Sequence, residues 1–144
     1  MDTFKQLKII FFALTAGQIS YFIVTLFLIQ NDTVILNKDF STVGGFIVPL
    51  VVVIMVVASK LLYNKAINSK IEAGDEEKLI TYRTSNIVKF ALLEGANLFS
   101  ITFYLLTGDF LYVGMFVIVM GIFLVNYPGK EKFMAEFGLS SFKE

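Results

Sequence analysis

Four long apolar runs dominate the sequence: about Ile9 to Ile29, Val43 to Leu62, Ile87 to Leu106 and Phe110 to Tyr127. A hydrocarbon core of about 30 Å is crossed by roughly 20 apolar residues in helical form. In lipid every backbone polar group must be satisfied internally, which restricts spanning structures to helices and closed barrels. The four runs are apolar nearly all round, unlike a helix with one wet face. None alternates polar and apolar residues as an outer-membrane barrel strand does. The expected fold class is therefore all-α: one transmembrane domain over residues 1–144 forming a four-transmembrane-helix bundle, with a connection at 63–86 and a tail at 128–144.

Composition narrows the chemistry. Hydrophobic residues make up 56% of the chain and charged ones 17%, against about 25% charged in an average soluble domain. There is no cysteine, so no disulfide framework and no thiolate nucleophile or ligand. There is no histidine, which removes the commonest general base and transition-metal ligand. The formal net charge is zero, which argues against a nucleic-acid partner. No Gly-rich phosphate loop, zinc spacing or nucleophile–base pair is present. The expectation is a non-enzymatic protein with no catalytic residue, cofactor or metal, whose partners are membrane lipid and either further copies of itself or a membrane complex.

Orientation follows from the basic residues, which collect on the cytoplasmic side of membrane proteins. Lys5 and Lys8 precede the first run. Lys60, Lys65, Lys70, Lys78, Arg83 and Lys89 lie in or beside the connection between runs two and three. Lys130, Lys132 and Lys143 follow run four, leaving Lys38 alone of twelve basic residues on the opposite side. A multi-pass protein of the cell membrane with both termini cytoplasmic is expected. Run one is too long for a signal-peptide core, and Ile29-Gln30-Asn31-Asp32 offers no small-residue cleavage site.

On the outer side, Gln30 to Ser41 includes Val34-Ile35-Leu36, suited to the lipid interface, and Thr107-Gly108-Asp109 is short enough to force an antiparallel hairpin. On the cytoplasmic side, run two is expected to continue as helix to about Ile71. Gly74 suits a left-handed position closing it, and Asp75 suits the cap of the next helix, with Glu76 and Glu77 in its first turn. No proline interrupts Glu76 to Thr107, so one long helix is expected there. Pro128-Gly129 ends the fourth helix. Beyond it, Phe133, Met134 and Phe137 share one side and Lys132 and Glu136 another, the pattern of a short interfacial helix or of a frayed tail.

Similar marks recur in order. Phe12-Ala13-Leu14-Thr15-Ala16-Gly17 is matched by Phe90-Ala91-Leu92-Leu93-Glu94-Gly95, and Val43-Gly44-Gly45-Phe46 by Val113-Gly114-Met115-Phe116. This suggests two tandem helical hairpins related about the membrane normal. Ala13 and Gly17, Ala91 and Gly95, and Ala96 and Ser100 are small residues four apart, which let helices approach closely within a bundle or between subunits. Pro49 is expected to kink run two.

Glu94 is the one carboxylate well inside a run, roughly 10 Å past the cytoplasmic edge at 1.5 Å per residue. A charge at that depth costs a few kcal/mol and is expected to face the bundle or a wet cavity. Helical spacing places Asn97 near Glu94 and Tyr104 farther along the same side, while Gln18, Tyr21 and Thr25 form a comparable stripe on run one. The expectation is that the stripes meet, with Gln18 or Tyr21 hydrogen-bonding Glu94; pairing with Lys89 is an alternative. These six residues form either an ion or proton site or an interhelical polar contact. Ser100, Thr102 and Asn126 are expected to bond their own helix or line an interface.

Two resemblances concern the same segment. Tyr82-Arg83, Ala91-Leu92-Leu93-Glu94-Gly95, Leu106-Thr107-Gly108 and the exit Pro128-Gly129-Lys130 resemble an uncharacterised family of small four-span bacterial inner-membrane proteins, which implies topology only. Glu94-Gly95-Ala96-Asn97-Leu98-Phe99 is similar to the ion-binding helix of rotary ATPase proteolipid subunits, which would make Glu94 the ion carboxylate and Gln18 its counterpart. The chain departs from that pattern in placing the carboxylate on the first helix of its hairpin and in lacking repeated glycines on the partner helices. The function expected is that of an accessory or assembly subunit or a self-associating structural component, with an oligomeric transporter or channel using Glu94 as the alternative.

Overall fold

The computed structural model describes residues 2–37 and 39–142, apart from the side chain of Ser41. Lys38 and Lys143, both used above to set orientation, lie outside the described residues. The described residues form five helices and no strand: α1 (Thr3–Gln30), α2 (Asp39–Asn68), α3 (Asp75–Thr107), α4 (Phe110–Val125) and α5 (Lys130–Phe137). Three of them, α1, α2 and α3, are long and apolar enough to cross a membrane. The fourth, α4, has 16 residues and reaches about 24 Å. It stops at Val125 rather than Tyr127, where Asn126 takes the C-cap and bonds back to the helix carbonyls, and α5 leaves it at 78°.

The centre of the bundle is α3, which packs against α1, α2 and α4. Contacts fix the directions. Phe11 meets Phe90 and Gln18 meets Asn97, so α1 runs parallel to α3. Lys89 lies over Tyr63 while Gly95 faces Met55 and Phe103 faces Gly44, so α2 is antiparallel to α3. Phe90 packs on Phe123 and Phe103 on Tyr112, so α4 is antiparallel too. Both described ends of the chain and the α2–α3 turn therefore lie at one end of the bundle, together with every described basic residue. The two hairpins are not copies of each other in space: α3 packs along α4, whereas α1 and α2 scarcely touch. The eight-residue stretch 31–38 lets them separate, where 108–109 holds α3 and α4 together.

Local sequence explains the ends. Asp2 caps α1 by accepting from the Phe4 N–H at 2.8 Å. Asp109 caps α4 by accepting from Leu111 N–H at 2.9 Å. Between α3 and α4, Gly108 adopts φ 68° and its N–H reaches Tyr104 O at 2.8 Å, the left-handed helix stop that glycine takes at least cost. Leu36 lies over Gly108, whereas Ile35 is almost wholly exposed. The α2–α3 turn corrects one expectation. Helix α2 stops at Asn68, Gly74 is the extended N-cap of α3 at φ −68°, and Asp75 is already helical. The acidic first turn still sits where the helix dipole favours it, and Glu77 reaches across the turn to pair with Lys70. Helix α2 runs through Pro49 without a break.

Two cores result. The larger, within the apolar length of the bundle, includes Phe11, Val52, Phe90, Leu93, Phe116 and Phe123. In it Phe11 stacks on Phe123 at 4.8 Å and Phe22 on Phe116 at 4.7 Å, tying α1 to α4. The second sits at the end carrying both chain ends, where Phe133 and Phe137 of α5 pack with Phe4, Tyr82 and Phe142. The apolar side of α5 is thus buried inside the protein instead of facing a lipid interface. Tyr82 fastens the bend before it: its hydroxyl lies 3.2 Å from Gly129 O and 3.3 Å from Gly129 N.

Candidate functional site

The polar stripe of α1 lies against α3, because a buried amide in an apolar bundle is stable only beside another polar group. Gln18 and Asn97 are both fully buried, and Asn97 Nδ2 donates to Gln18 Oε1 at 2.5 Å. The other amide atoms, Gln18 Nε2 and Asn97 Oδ1, have no hydrogen-bond partner among the described residues. Half-buried Tyr21 pairs through its hydroxyl with Thr102 Oγ1 at 3.2 Å. Thr25 is fully buried, and its hydroxyl oxygen has no partner among the described residues. Tyr104 is buried and tilted against Phe22 and Phe110. Ser100 and Thr102 return their hydroxyls to the carbonyls of Ala96 and Leu98, and Asn126 returns its amide to Ile122 O. Such back-bonding satisfies a hydroxyl without a second helix.

Glu94 is not part of this contact. The expected partners are engaged elsewhere, Gln18 by Asn97 and Tyr21 by Thr102, and Lys89 lies over the Tyr63 ring. Glu94 is half-buried and makes no hydrogen bond or ion pair among the described residues. The geometry of α3 explains this. Asn97 faces α1 and Gly95 faces Met55 of α2, so Glu94 points into the gap that α1 and α2 leave between them. Ala91 and Ile87, one and two turns earlier on the same stripe, are exposed. On α1, Ala13 and Gly17 are exposed as well, with nothing within 4 Å of a Cβ added at Gly17. They do not pack α1 on α3, whereas Ala96 and Ser100 are buried in the bundle.

A second polar feature escaped the sequence reading. At the end that carries both described ends of the chain, a cavity of about 490 Å³ opens between α2, α3, α4 and α5. Its inner wall is apolar (Val56, Val57 and Ile122), and its outer part holds Lys60, Lys89 and Lys132. Lys89 is 4% exposed and its ammonium sits 3.4 Å above the centre of the Tyr63 ring. The Tyr63 hydroxyl donates to Glu136, which also lines the cavity. None of the three lysines has a carboxylate within ion-pair distance among the described residues; the ion pair found there is Lys70–Glu77. The sequence signal was present in basic residues at the edges of adjoining apolar runs, Lys60 ending one and Lys89 opening the next. In the sequence alone those residues mark topology. Lys132 is added by the α4–α5 bend. Among the described residues no cluster of carboxylates could hold a metal.

No family model, curated protein or solved structure matches this chain.

Proposed function

We propose that this protein is a non-enzymatic component of the cell membrane that crosses it four times, with both termini cytoplasmic, and works as an assembly of its own copies. The observation that carries the reading is Glu94. A carboxyl group within an apolar helix stretch, half-exposed and without a partner among the described residues, is costly against lipid, by at least about 2.5 kcal/mol on the most lenient scale. The small residues beside it, Ala13, Gly17 and Ala91, are exposed, and such residues let helices of neighbouring subunits approach closely. A second copy supplies the complement: a two-fold contact places identical residues opposite one another, so that two Glu94 carboxyl groups can bond each other away from lipid. Orientation rests on the basic end of the bundle. Helix α4 is short for the bilayer, a mismatch met by local thinning at modest cost.

The test is the oligomeric state in lipid nanodiscs. Wild type is expected as a dimer or larger, and Glu94→Leu is expected to dissociate roughly three- to fifteenfold more readily, the effect of one interhelical hydrogen bond of about 0.6–1.7 kcal/mol. A wild-type protein that is monomeric at every protein-to-lipid ratio refutes the reading. Cysteine labelling from either side, starting from a chain with no cysteine, tests orientation: Glu76→Cys should react from the cytoplasm and Ile35→Cys from outside, and the reverse would overturn it.

A second reading, an oligomer that couples proton or cation movement to Glu94, rests on the same unpartnered carboxyl. It predicts an infrared carboxyl band that titrates near neutral pH and is absent in Glu94→Gln. A band invariant across that range rules it out.

A further inference from the structure

We infer that the cavity between α2, α3, α4 and α5 binds the phosphate headgroup of an anionic amphiphile, with its acyl chain along α2 and α4. The inference is independent of the assembly through Glu94. Three observations converge on it. The first is charge: Lys60, Lys89 and Lys132 against the single carboxylate of Glu136 leave the lining with a surplus of two positive charges. The second is Lys89 itself. An ammonium buried to 4% exposure is costly unless an anion compensates it, and its neighbour here is the face of Tyr63, with no carboxylate in ion-pair range among the described residues. The ring supplies part of the compensation and leaves the ammonium's donors free for oxygen acceptors. Glu136, the one acidic group in the lining, is engaged by the Tyr63 hydroxyl.

The third observation is polarity along the cavity. Val56, Val57 and Ile122 line its inner wall, about one turn deeper than Lys60 and Asn126 on the same helices. A small free anion would use only the basic rim. A lipid uses both parts: phosphate oxygens at the three ammonium groups, and hydrocarbon along the apolar wall and the exposed Val53 and Val57 of α2. Basic pockets at the cytoplasmic ends of spanning helices take anionic headgroups in this manner. Asn64 is exposed at the rim, in reach of a headgroup's hydroxyls.

The experiment is native mass spectrometry of the full chain released from nanodiscs that contain equal amounts of phosphatidylglycerol and phosphatidylcholine. Wild type should retain phosphatidylglycerol in preference on the order of thirtyfold, from a surplus of two charges at about 1 kcal/mol each, and each lysine removed should lower that preference about fivefold. Lys89→Gln tests the buried group. Lys60→Gln, at an exposed position, tests the same site without risk to the core. Lys65→Gln, exposed on α2 and outside the cavity, should change nothing. No preference in wild type, or a preference equally reduced by Lys65→Gln, overturns the site. Displacement of phosphatidylglycerol by 10 mM inorganic phosphate would overturn the amphiphile in favour of a free phosphate ion.

Discussion

The hydrogen bond between Asn97 and Gln18 can be removed from either side, and the two removals should not add. Both side chains are fully buried and face each other at 2.5 Å. Gln18→Leu abolishes the bond and leaves the whole Asn97 amide stranded among apolar neighbours; Asn97→Leu strands Gln18 likewise. An interhelical hydrogen bond in a membrane protein contributes about 0.6 kcal/mol on average and at most about 1.7 kcal/mol. Removing one partner so that the other buried amide is left unsatisfied costs ~1–3 kcal/mol in all. Each single variant should therefore lose about 1–3 kcal/mol. The double variant removes both polar groups together and should lose no more than either single, a coupling of about 1–2 kcal/mol. Two atoms, Gln18 Nε2 and Asn97 Oδ1, are already unpartnered, which pulls the expected coupling toward the low end. Reversible unfolding in bicelles of the four proteins of the cycle reads the coupling directly. Single losses that add to within about 0.5 kcal/mol would mean that the two amides do not meet and that α1 is rotated on α3.

Three other substitutions probe separate contacts. Gly44→Ala places a Cβ 2.5 Å from the Tyr112 hydroxyl and 3.0 Å from the Phe103 ring; it should cost about 1–3 kcal/mol as overpacking, and unchanged unfolding would show that α2 and α4 are farther apart. Phe133→Ala, at a ring packed on Phe4, Tyr82 and Phe142, should cost about 3–5 kcal/mol and release α5. Hydrogen exchange should then accelerate over residues 130–142 with α1 to α3 still protected; uniform acceleration would contradict the separateness of the second core. Gly17→Ala adds a Cβ with nothing within 4 Å and should leave monomer unfolding unchanged or stabilised by up to about 1 kcal/mol while weakening association in nanodiscs; a destabilised monomer would place Gly17 inside the bundle.

Much of this architecture is legible in the sequence, for physical reasons. Apolar runs near the span length, a proline-free stretch from Glu76 to Thr107 and a Gly-Asp turn at 108–109 leave few alternatives to helices in this order. What is harder to read is rotation. Glu94 and Asn97 are three residues apart and share a broad face, yet their directions differ by about 60°. That difference decides which of them meets Gln18, and it depends on where α2 lies, through Met55 against Gly95. The second core was hidden because its rings come from four distant places, Phe4, Tyr82, Phe133 and Phe142, and no one of those segments announces burial. The basic cavity was hidden in the same way, since Lys60, Lys89 and Lys132 converge only after α5 folds back. The apparent repeat failed to give matching hairpins because shared small and apolar letters carry no information on which faces pair.

Because the natural sequence has no cysteine, single-cysteine variants crosslinked in native membranes give the most direct test of the Glu94 face. Ala91→Cys lies on the exposed stripe beside Glu94, and Ile118→Cys lies on the exposed side of α4. The assembly proposed here predicts a disulfide-linked dimer from Ala91→Cys and little or none from Ile118→Cys. Crosslinking from Ile118→Cys with none from Ala91→Cys, or from neither, would contradict it.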